Sequence, residues 1–432
     1  MSRKSSRRKD PQMKDTVRPE NMRIVVIGGG PAGMMAAVSA ADCGASVILL
    51  EKNEKLGKKL YITGKGRCNL TNSCAEEEFF DHVVSNGKFL YSSIYGFPAG
   101  QVCAFFEAEG LRLKEERGGR IFPVSDKSSD VIKTMEKALQ ERNVQIRLRT
   151  EVKELLLSDG EVQGVLLSDH TKITADAVIV ATGGLSYRST GSTGDGYRFA
   201  QQTGHKVTEL RPSLTALTVL EESVKELEGL SLRNIEIRIE GFREFGEMLF
   251  TSDGVSGPVI LTASAALCRA IAEKTPLSLH IDLKPALTEE QLDVRVQRDF
   301  EAARNKDFCN SLSGLLPAKL IPVIVRESAI PEHKKVNEIT RAERKRLVAL
   351  LKNLVFTVTG NKGFEQAVIT QGGVSVKDIS PSTMASKKVR NLYFAGEVMD
   401  VDAYTGGYNL QIAWSTGALA GSSAAGAEYN RK

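Results

Sequence analysis

Three glycines follow the first apolar run of the chain at a fixed spacing that bears on ligand binding. Gly28, Gly30 and Gly33 form the pattern G-x-G-x-x-G directly after the run at 24–27. In such a turn the first glycine permits the sharp bend, the second lets the backbone approach a pyrophosphate, and the third lets the helix pack on the strand. Pro31 lies in the turn into the helix, where its missing N–H costs little. The pattern predicts a dinucleotide site at the start of a helix.

A carboxylate follows the next predicted strand. The apolar run at 46–50 ends at Glu51, which is in position to accept hydrogen bonds from an adenosine ribose. One glycine motif alone is weak evidence. Here a strand, a glycine turn, a helix, a second strand and a terminal carboxylate occur in order, so residues 23–51 predict one Rossmann-like unit.

Three more glycine-rich segments each follow a predicted strand. They are TGGLSY at 182–187, AGE at 395–397 and YTGGYN at 404–409, in addition to GGGPAG at 28–33. Ligands of doubly wound sheets bind at the carboxyl ends of the strands, so we expect the four segments to meet at one cofactor. The last segment would direct the N-terminus of the final helix at negative charge, such as the N1/O2 edge of a reduced flavin.

Two tyrosines in these segments could carry the chemistry. Tyr187 and Tyr404 are candidate proton donors for a redox reaction at the cofactor. We predict no metal site, since the five histidines show no metal-ligand spacing along the chain.

The motifs that the sequence lacks favour FAD over NAD as the resident nucleotide. The chain has a single full dinucleotide fingerprint and no C-x-x-C pair, whereas a pyridine-nucleotide disulfide reductase would need a second fingerprint and a redox cysteine pair. NAD(P)H, if it is the hydride donor, must therefore bind transiently and without a Rossmann domain of its own.

The composition is typical of a globular protein with several domains. The 432 residues are 41% hydrophobic, which suits two or three domains with real cores, and no apolar run approaches the length of a membrane span. Scattered cysteines and the lack of a secretory signal predict a cytoplasmic protein.

Seven basic and three acidic residues at 1–22 contribute +4 of the net charge of +5. We interpret this segment as a disordered tail and do not expect nucleic acid as a partner.

The pattern along the chain predicts an α/β protein with an insertion. We expect a disordered basic tail at 1–21, the first part of the nucleotide-binding domain at 22–210, and its second part at 361–432. Between them, residues 211–360 alternate like antiparallel strands and are expected to form the substrate domain, with a helical part at about 286–352.

Long motifs give the chain a family resemblance. Among them are EKNEKLGKKLYITGKGRCNLTN, ATGGLSYRSTGSTGDGYRFAQQTGH and LYFAGEVMDVDAYTGGYNLQIAWSTG, and the matching segments run nearly from end to end. In these the sequence resembles the BaiN / aminoacetone-oxidase-like (YhiN-type) family of FAD flavoproteins. The resemblance implies a Rossmann-like FAD-binding domain, an inserted antiparallel β domain that is barrel-like, and a small helical domain.

The resemblance also implies which residues contact the cofactor. Gly28, Gly30, Ala32 and Gly33 would line the pyrophosphate, Glu51 would bind the ribose and Val152 would lie near the adenine. The residues expected along the remainder of the cofactor, together with neighbouring positions in the glycine segments, are Pro31, Lys52, Lys59, Gly64, Arg67, Cys68, Asn69, Thr182, Gly183, Gly396, Glu397, Gly407, Tyr408, Asn409 and Leu410.

Three functions stay open at this point. The first is NAD(P)H-dependent reduction of a C=C bond conjugated to a ketone, which the resemblance implies for 3-oxo bile acids and which would require a small apolar, steroid-like substrate. The second is oxidation of an amine by O₂, as in the aminoacetone-oxidase branch. The third is a flavin-containing binding protein whose basic tail contacts nucleic acid. The oligomeric state is not predicted.

Overall fold

The centre of the molecule is a five-stranded parallel sheet. The structure is a computed structural model that describes residues 22–427, so the tail predicted at 1–21 lies outside the described residues. Both faces of the sheet are covered, which is why its strands are nearly continuous apolar runs. In spatial order the strands are Leu392–Phe394, Ala177–Val180, Arg23–Ile27, Ser46–Leu50 and Gln145–Arg147.

The first and last long helices of the described chain pack against each other with almost no gap. Pro31–Asp42 follows the glycine turn and Tyr408–Ala424 follows the last glycine segment. A Cβ atom on Gly417 would overlap the carbonyl oxygen of Ala32, and one on Gly421 would overlap that of Ala36. The C-terminal part of the chain therefore completes the domain that the N-terminal part begins.

The insertion forms a closed antiparallel barrel of six strands. In order around the barrel they are Leu217–Val219, Gly254–Ser256, Phe242–Thr251, Ser231–Ile239, Leu277–Asp282 and Leu354–Asn361. Inward residues form a second apolar core, in which the rings of Phe250 and Phe356 meet edge to face at 5.6 Å.

Three longer helices lie between the last two barrel strands. They are Glu289–Ala302, Ile321–Ser328 and Arg341–Lys352. The first and third begin with complete capping boxes, in which Thr288 and Thr340 accept from the backbone three residues on. The predicted fold class, a Rossmann-like domain with an inserted antiparallel barrel and a small helical part, is confirmed.

The remaining elements are further helices and small sheets. The other strands form small sheets: Val152–Ser158 with Glu161–Leu167 and Lys172–Thr174; Thr71–Asn72 with Arg120–Pro123 and Leu113–Glu116; Arg211–Ser213 with Ile369–Gln371; and Val83–Ser85 with Asp402–Ala403. The other α-helices are Lys58–Ile62, Glu76–Phe79, Tyr91–Gly96, Ala99–Ala108, Ser128–Glu141, Asp195–Gln202, Ser223–Glu226, Pro258–Ala266, Cys268–Lys274 and Gly363–Gln366. Among residues 22–427, none of the helices has the length and apolarity to cross a membrane.

Candidate functional site

A cavity of about 680 Å³ lies at the carboxyl ends of the parallel strands. All four glycine-rich segments contribute to its wall, at 28–32, 182–183, 395 and 397, and 404–407. They meet because each segment follows a strand or starts a helix at the same edge of the sheet.

The first glycine turn has the geometry of a phosphate cradle. Gly28 has φ +107°, and a Cβ there would lie 2.5 Å from the carbonyl oxygen of Ala181. A Cβ on Gly33 would overlap the carbonyl oxygen of Gly28, so this position holds helix and strand together. A Cβ on Gly30 would meet nothing within 4 Å, so its backbone faces open space. A ligand can therefore approach the main chain at Gly30, at the N-terminus of a twelve-residue helix.

The carboxylate of Glu51 is fixed beside this turn. One oxygen accepts from the N–H of Gly29 at 2.7 Å, and the other accepts from the main chain of Asn53 at 2.8 Å and from its side chain at 2.7 Å. Glu51 is only 8% exposed, yet it lines the cavity. Oε1 accepts both bonds from Asn53, whereas Oε2 accepts only the one from Gly29, so Oε2 has a lone pair left to accept from a ligand hydroxyl.

Two lysines on the wall are held by carboxylates. Lys52 Nζ lies 2.5 Å from Asp195 Oδ2, and Lys59 Nζ lies 2.7 Å from Glu397 Oε2. Glu397 Oε1 also accepts from Ser186 at 3.0 Å. The first pair joins the chain after Glu51 to the helix Asp195–Gln202, and the second joins the helix Lys58–Ile62 to the glycine segment at 395–397.

One part of the wall is apolar and lies where the nucleotide-binding domain meets the barrel. It consists of Leu214, Leu261, Val368 and Ile369, which pack in one small cluster with Tyr404. We call these four side chains the apolar wall. The chain brings them together through the pairing of Arg211–Ser213 with Ile369–Gln371.

Tyr404 lines the cavity beside the apolar wall. Burial raises the pKa of its phenol, and the nearby carboxyl groups of Glu244 and Asp402 raise it further. Asp402 itself is fully buried, and burial raises the pKa of its carboxyl. The phenol of Tyr404 therefore keeps its proton at neutral pH.

Two polar atoms on the wall have no partner within the described part of the chain. Asn69 Oδ1 and Thr182 Oγ1 are buried without a hydrogen bond, although both residues line the cavity. Buried polar atoms are rarely left unpaired, because desolvation costs about 1–3 kcal/mol. Together with the open backbone at Gly30, these atoms fit a polar elongated ligand such as FAD.

Most of the residues that the sequence predicted for the site line the cavity. Those that line the cavity are Gly28, Gly30, Pro31, Ala32, Glu51, Lys52, Lys59, Gly64, Asn69, Val152, Thr182, Gly183, Tyr187, Glu397, Tyr404, Gly407, Asn409 and Leu410. Their individual contacts with a cofactor stay predictions.

Five predicted residues do not belong to the wall. Gly33 and Gly396 support it from behind, since a Cβ on Gly396 would lie 2.7 Å from that of Ala32. Arg67 instead pairs with Glu116 and Asp126, at 2.5 Å each. Cys68 is fully buried, and burial raises the pKa of its thiol to about 12. Tyr408 is buried and stacks on His82, with ring centroids 4.2 Å apart.

Sequence reasoning missed two kinds of site residue. Asn53 links Glu51 to the carbonyl oxygen of Thr190, 3.1 Å from its Nδ2, and its proximity to Glu51 in the sequence could have indicated this role. The apolar wall carried no such signal, because its members are ordinary aliphatic residues that are far apart in the sequence.

Comparisons with known proteins agree with this geometry. The family described as "HI0933-like protein Rossmann domain" matches residues 22–423. A 3-dehydro-bile acid delta(4,6)-reductase of Clostridium scindens is 33% identical, over 93% of this chain and 99% of the relative. A ribosomal RNA dihydrouridine synthase of Haemophilus influenzae is 31% identical over 91% of this chain and 96% of the relative, and that of Escherichia coli is 30% identical over 92% and 96%.

A solved structure shares the fold. The 3-ketosteroid delta1-dehydrogenase from Sterolibacterium denitrificans, in complex with 1,4-androstadiene-3,17-dione, matches with a TM-score of 0.52 and 14% identity, over 94% of this chain and 100% of that chain. The family match, the nearly full-length relatives and the cavity lead to one conclusion. The chain belongs to the HI0933-like family of FAD-binding Rossmann proteins, the BaiN/YhiN-type family that its motifs resemble, and it is a flavin-dependent oxidoreductase.

Proposed function

We propose that this protein uses NAD(P)H to reduce a C=C bond conjugated to a ketone in a small apolar substrate such as a 3-oxo bile acid or a related steroid. The observation that carries the proposal is the apolar wall beside Tyr404. A flat hydrocarbon skeleton gains about 25 cal/mol per Å² of apolar surface that it removes from water. The name of the relative from Clostridium scindens supports this substrate class.

Different residues along the cavity would bind the cofactor and protonate the substrate. The turn at 28–33 would hold the pyrophosphate of the cofactor, Glu51 would bind its ribose, and the N-terminus of the final helix would hold its flavin end. Bound FAD would supply the hydride chemistry that links NAD(P)H to the β-carbon of an enone. Tyr404 would then protonate the α-carbon, because its phenol lines the cavity, stays protonated and lies beside the apolar wall. Tyr187, also on the wall, is the other candidate donor.

The relatives favour a second candidate substrate. Two of them are ribosomal RNA dihydrouridine synthases of nearly the same length as this chain. Uracil has a C=C bond conjugated to a carbonyl, so the same hydride and proton transfers would produce dihydrouridine. The two candidates differ in what surrounds the reactive bond: a steroid would use the apolar wall, whereas RNA would require contacts with its phosphates.

An anaerobic screen separates the candidates. Under the reductase proposal, NADPH or NADH bleaches the flavin absorbance, and an unsaturated 3-oxo steroid then restores it with formation of the saturated ketone. Restoration by uridine-containing ribosomal RNA, but by no enone, would select the second candidate. Bleaching by an amine and by neither nucleotide would contradict both and favour the amine oxidase.

A substitution in the apolar wall tests the steroid assignment itself. Leu261→Ser should raise KM for a steroid at least tenfold and leave bleaching by NADPH unchanged, because only the substrate loses apolar contact. Leu220→Ser is the matched control, since Leu220 is exposed and lies off the cavity wall. An equal KM in the wild type and in Leu261→Ser would argue against steroid binding at this wall.

A further inference from the structure

We propose that the helical part of the insertion binds a divalent transition metal, with Zn²⁺ as the ion that its ligands suit. Cys309, Glu332 and His333 each offer one ligand atom, and these atoms all lie within 4.8 Å of one another. None of the three residues lines the cavity, so the site is separate from the proposed reaction.

Main-chain hydrogen bonds hold the two segments that carry the ligands. The N–H of Phe308 donates to Lys334 O at 2.9 Å, that of Cys309 donates to Glu332 O at 3.2 Å, and that of Val336 donates to Lys306 O at 3.1 Å. Phe308 and Val336 are buried and anchor the segments in the core. The backbone positions of the ligands are therefore fixed before any ion binds.

A carboxylate lies beside the histidine. His333 Nδ1 lies 3.5 Å from Asp307 Oδ2, and the other oxygen of Asp307 accepts from Lys335 Nζ at 2.7 Å. Metal-binding histidines usually donate one ring N–H to a carboxylate, which presents the other nitrogen to the ion. An anchored carboxylate beside this imidazole is the arrangement that such a site needs.

The donor set selects the class of ion. A thiolate and an imidazole favour zinc-like ions, whereas Ca²⁺ and Mg²⁺ prefer oxygen ligands alone. Bonds of about 2.0–2.3 Å place ligand atoms closer together than the 4.8 Å limit, and the exposed side chains of Glu332 and His333 can move to close the difference. Water would complete the tetrahedron. The ion would cross-link the segment that follows Glu289–Ala302 to the one that precedes Arg341–Lys352.

Cobalt titration of the full-length holoprotein tests the site. Co²⁺ is added to chelator-treated, tag-free protein under a thiol-free reductant. Its d–d bands are followed at wavelengths longer than the flavin absorption, and Zn²⁺ is then added in competition. We expect one ion per chain in a tetrahedral site, displaced by Zn²⁺. Cys309→Ser and His333→Ala should each weaken binding at least tenfold, and Asp307→Asn roughly tenfold.

Two control variants test whether metal binding depends on Cys309 and His333 in particular. Cys43→Ser and His170→Asn change exposed residues of the same types elsewhere and should leave the titration unchanged. Circular dichroism establishes that each variant is folded. The proposal is overturned if the wild type shows no stoichiometric tetrahedral site, or if Cys309→Ser and His333→Ala bind as the wild type does. Flavin bleaching by NAD(P)H is expected to be the same in all variants, so the outcome does not depend on the proposed reaction.

Discussion

At the scale of single residues, Glu51 is the side chain whose loss should be easiest to detect. Glu51→Ala leaves the N–H of Gly29 and the amide of Asn53 without their acceptor and removes the candidate ribose ligand. We expect FAD to bind at least tenfold more weakly, a loss of about 1.4 kcal/mol or more, because the ribose loses its acceptor and the turn is left with unpaired buried donors. The absorbance ratio of flavin to protein after gel filtration measures occupancy. Glu154→Ala, at an exposed position, should retain the flavin; equal occupancy in both variants would contradict the role of Glu51.

Tyr404 is the second residue whose loss should have a specific effect, because it is the candidate proton donor. Tyr404→Phe should leave bleaching by NAD(P)H intact and slow substrate reduction about 10²–10⁴-fold, because only the proton donor is lost. Burial raises the pKa of this phenol, so the wild-type rate should be constant through neutral pH. It should fall only above the ordinary tyrosine value of about 10, where the donor deprotonates.

Stopped-flow measurement of the two half-reactions at several pH values checks this assignment. Tyr404→Phe should lack the alkaline decline. Tyr95→Phe, an exposed tyrosine off the cavity wall, is the control and should behave as the wild type. A full effect in Tyr187→Phe with none in Tyr404→Phe would transfer the role to Tyr187.

At the scale of elements, the contact between the two long helices links stability to the site. A Cβ on Gly421 would overlap the carbonyl oxygen of Ala36 and lie 3.0 Å from the N–H nitrogen of Ala40. Gly421→Ala should force the helices apart, at a cost of about 1–3 kcal/mol. Because both helices begin at the cavity, their displacement should also weaken FAD retention.

Thermal denaturation with and without added FAD checks this prediction. Gly100→Ala is the matched control, since Gly100 lies in a helix and a Cβ there would meet nothing within 4 Å. Because alanine has a higher helix propensity than glycine, Gly100→Ala should have an unchanged or higher Tm. A Tm for Gly421→Ala equal to that of the wild type would mean that the helices can separate without strain.

At the scale of the whole molecule, a feature could be predicted from the sequence when its residues are contiguous, and could not when they lie far apart along the chain. The turn at 28–33 could be predicted because its strand, glycines and helix are contiguous and each has a local signal. The antiparallel strands of the insertion could be expected from alternating residues and their barrel-like arrangement from the family resemblance, but the strand order could not. The apolar wall depends on the pairing of Arg211–Ser213 with Ile369–Gln371, and the proximity of Cys309 to His333 depends on loop pairing. Only the folded chain defines such contacts, since no short-range pattern encodes them.

The distribution of charge over the chain gives a final prediction that separates the two substrate classes. Residues 1–21 contain seven basic and three acidic side chains, whereas the remainder of the chain is close to neutral. If the substrate is an apolar enone, deleting residues 1–21 should leave KM unchanged between 50 and 200 mM salt, because no phosphates are neutralised. If it is RNA, the deletion should weaken binding and flatten its salt dependence, since each lost phosphate contact removes roughly 0.7–0.9 from the slope of log K against log salt. Replacing Arg3, Arg7 and Arg8 by glutamine in the full-length chain supplies a control that keeps the length. A truncated enzyme that reduces enones normally and has lost no RNA affinity would show that the basic segment serves neither reaction.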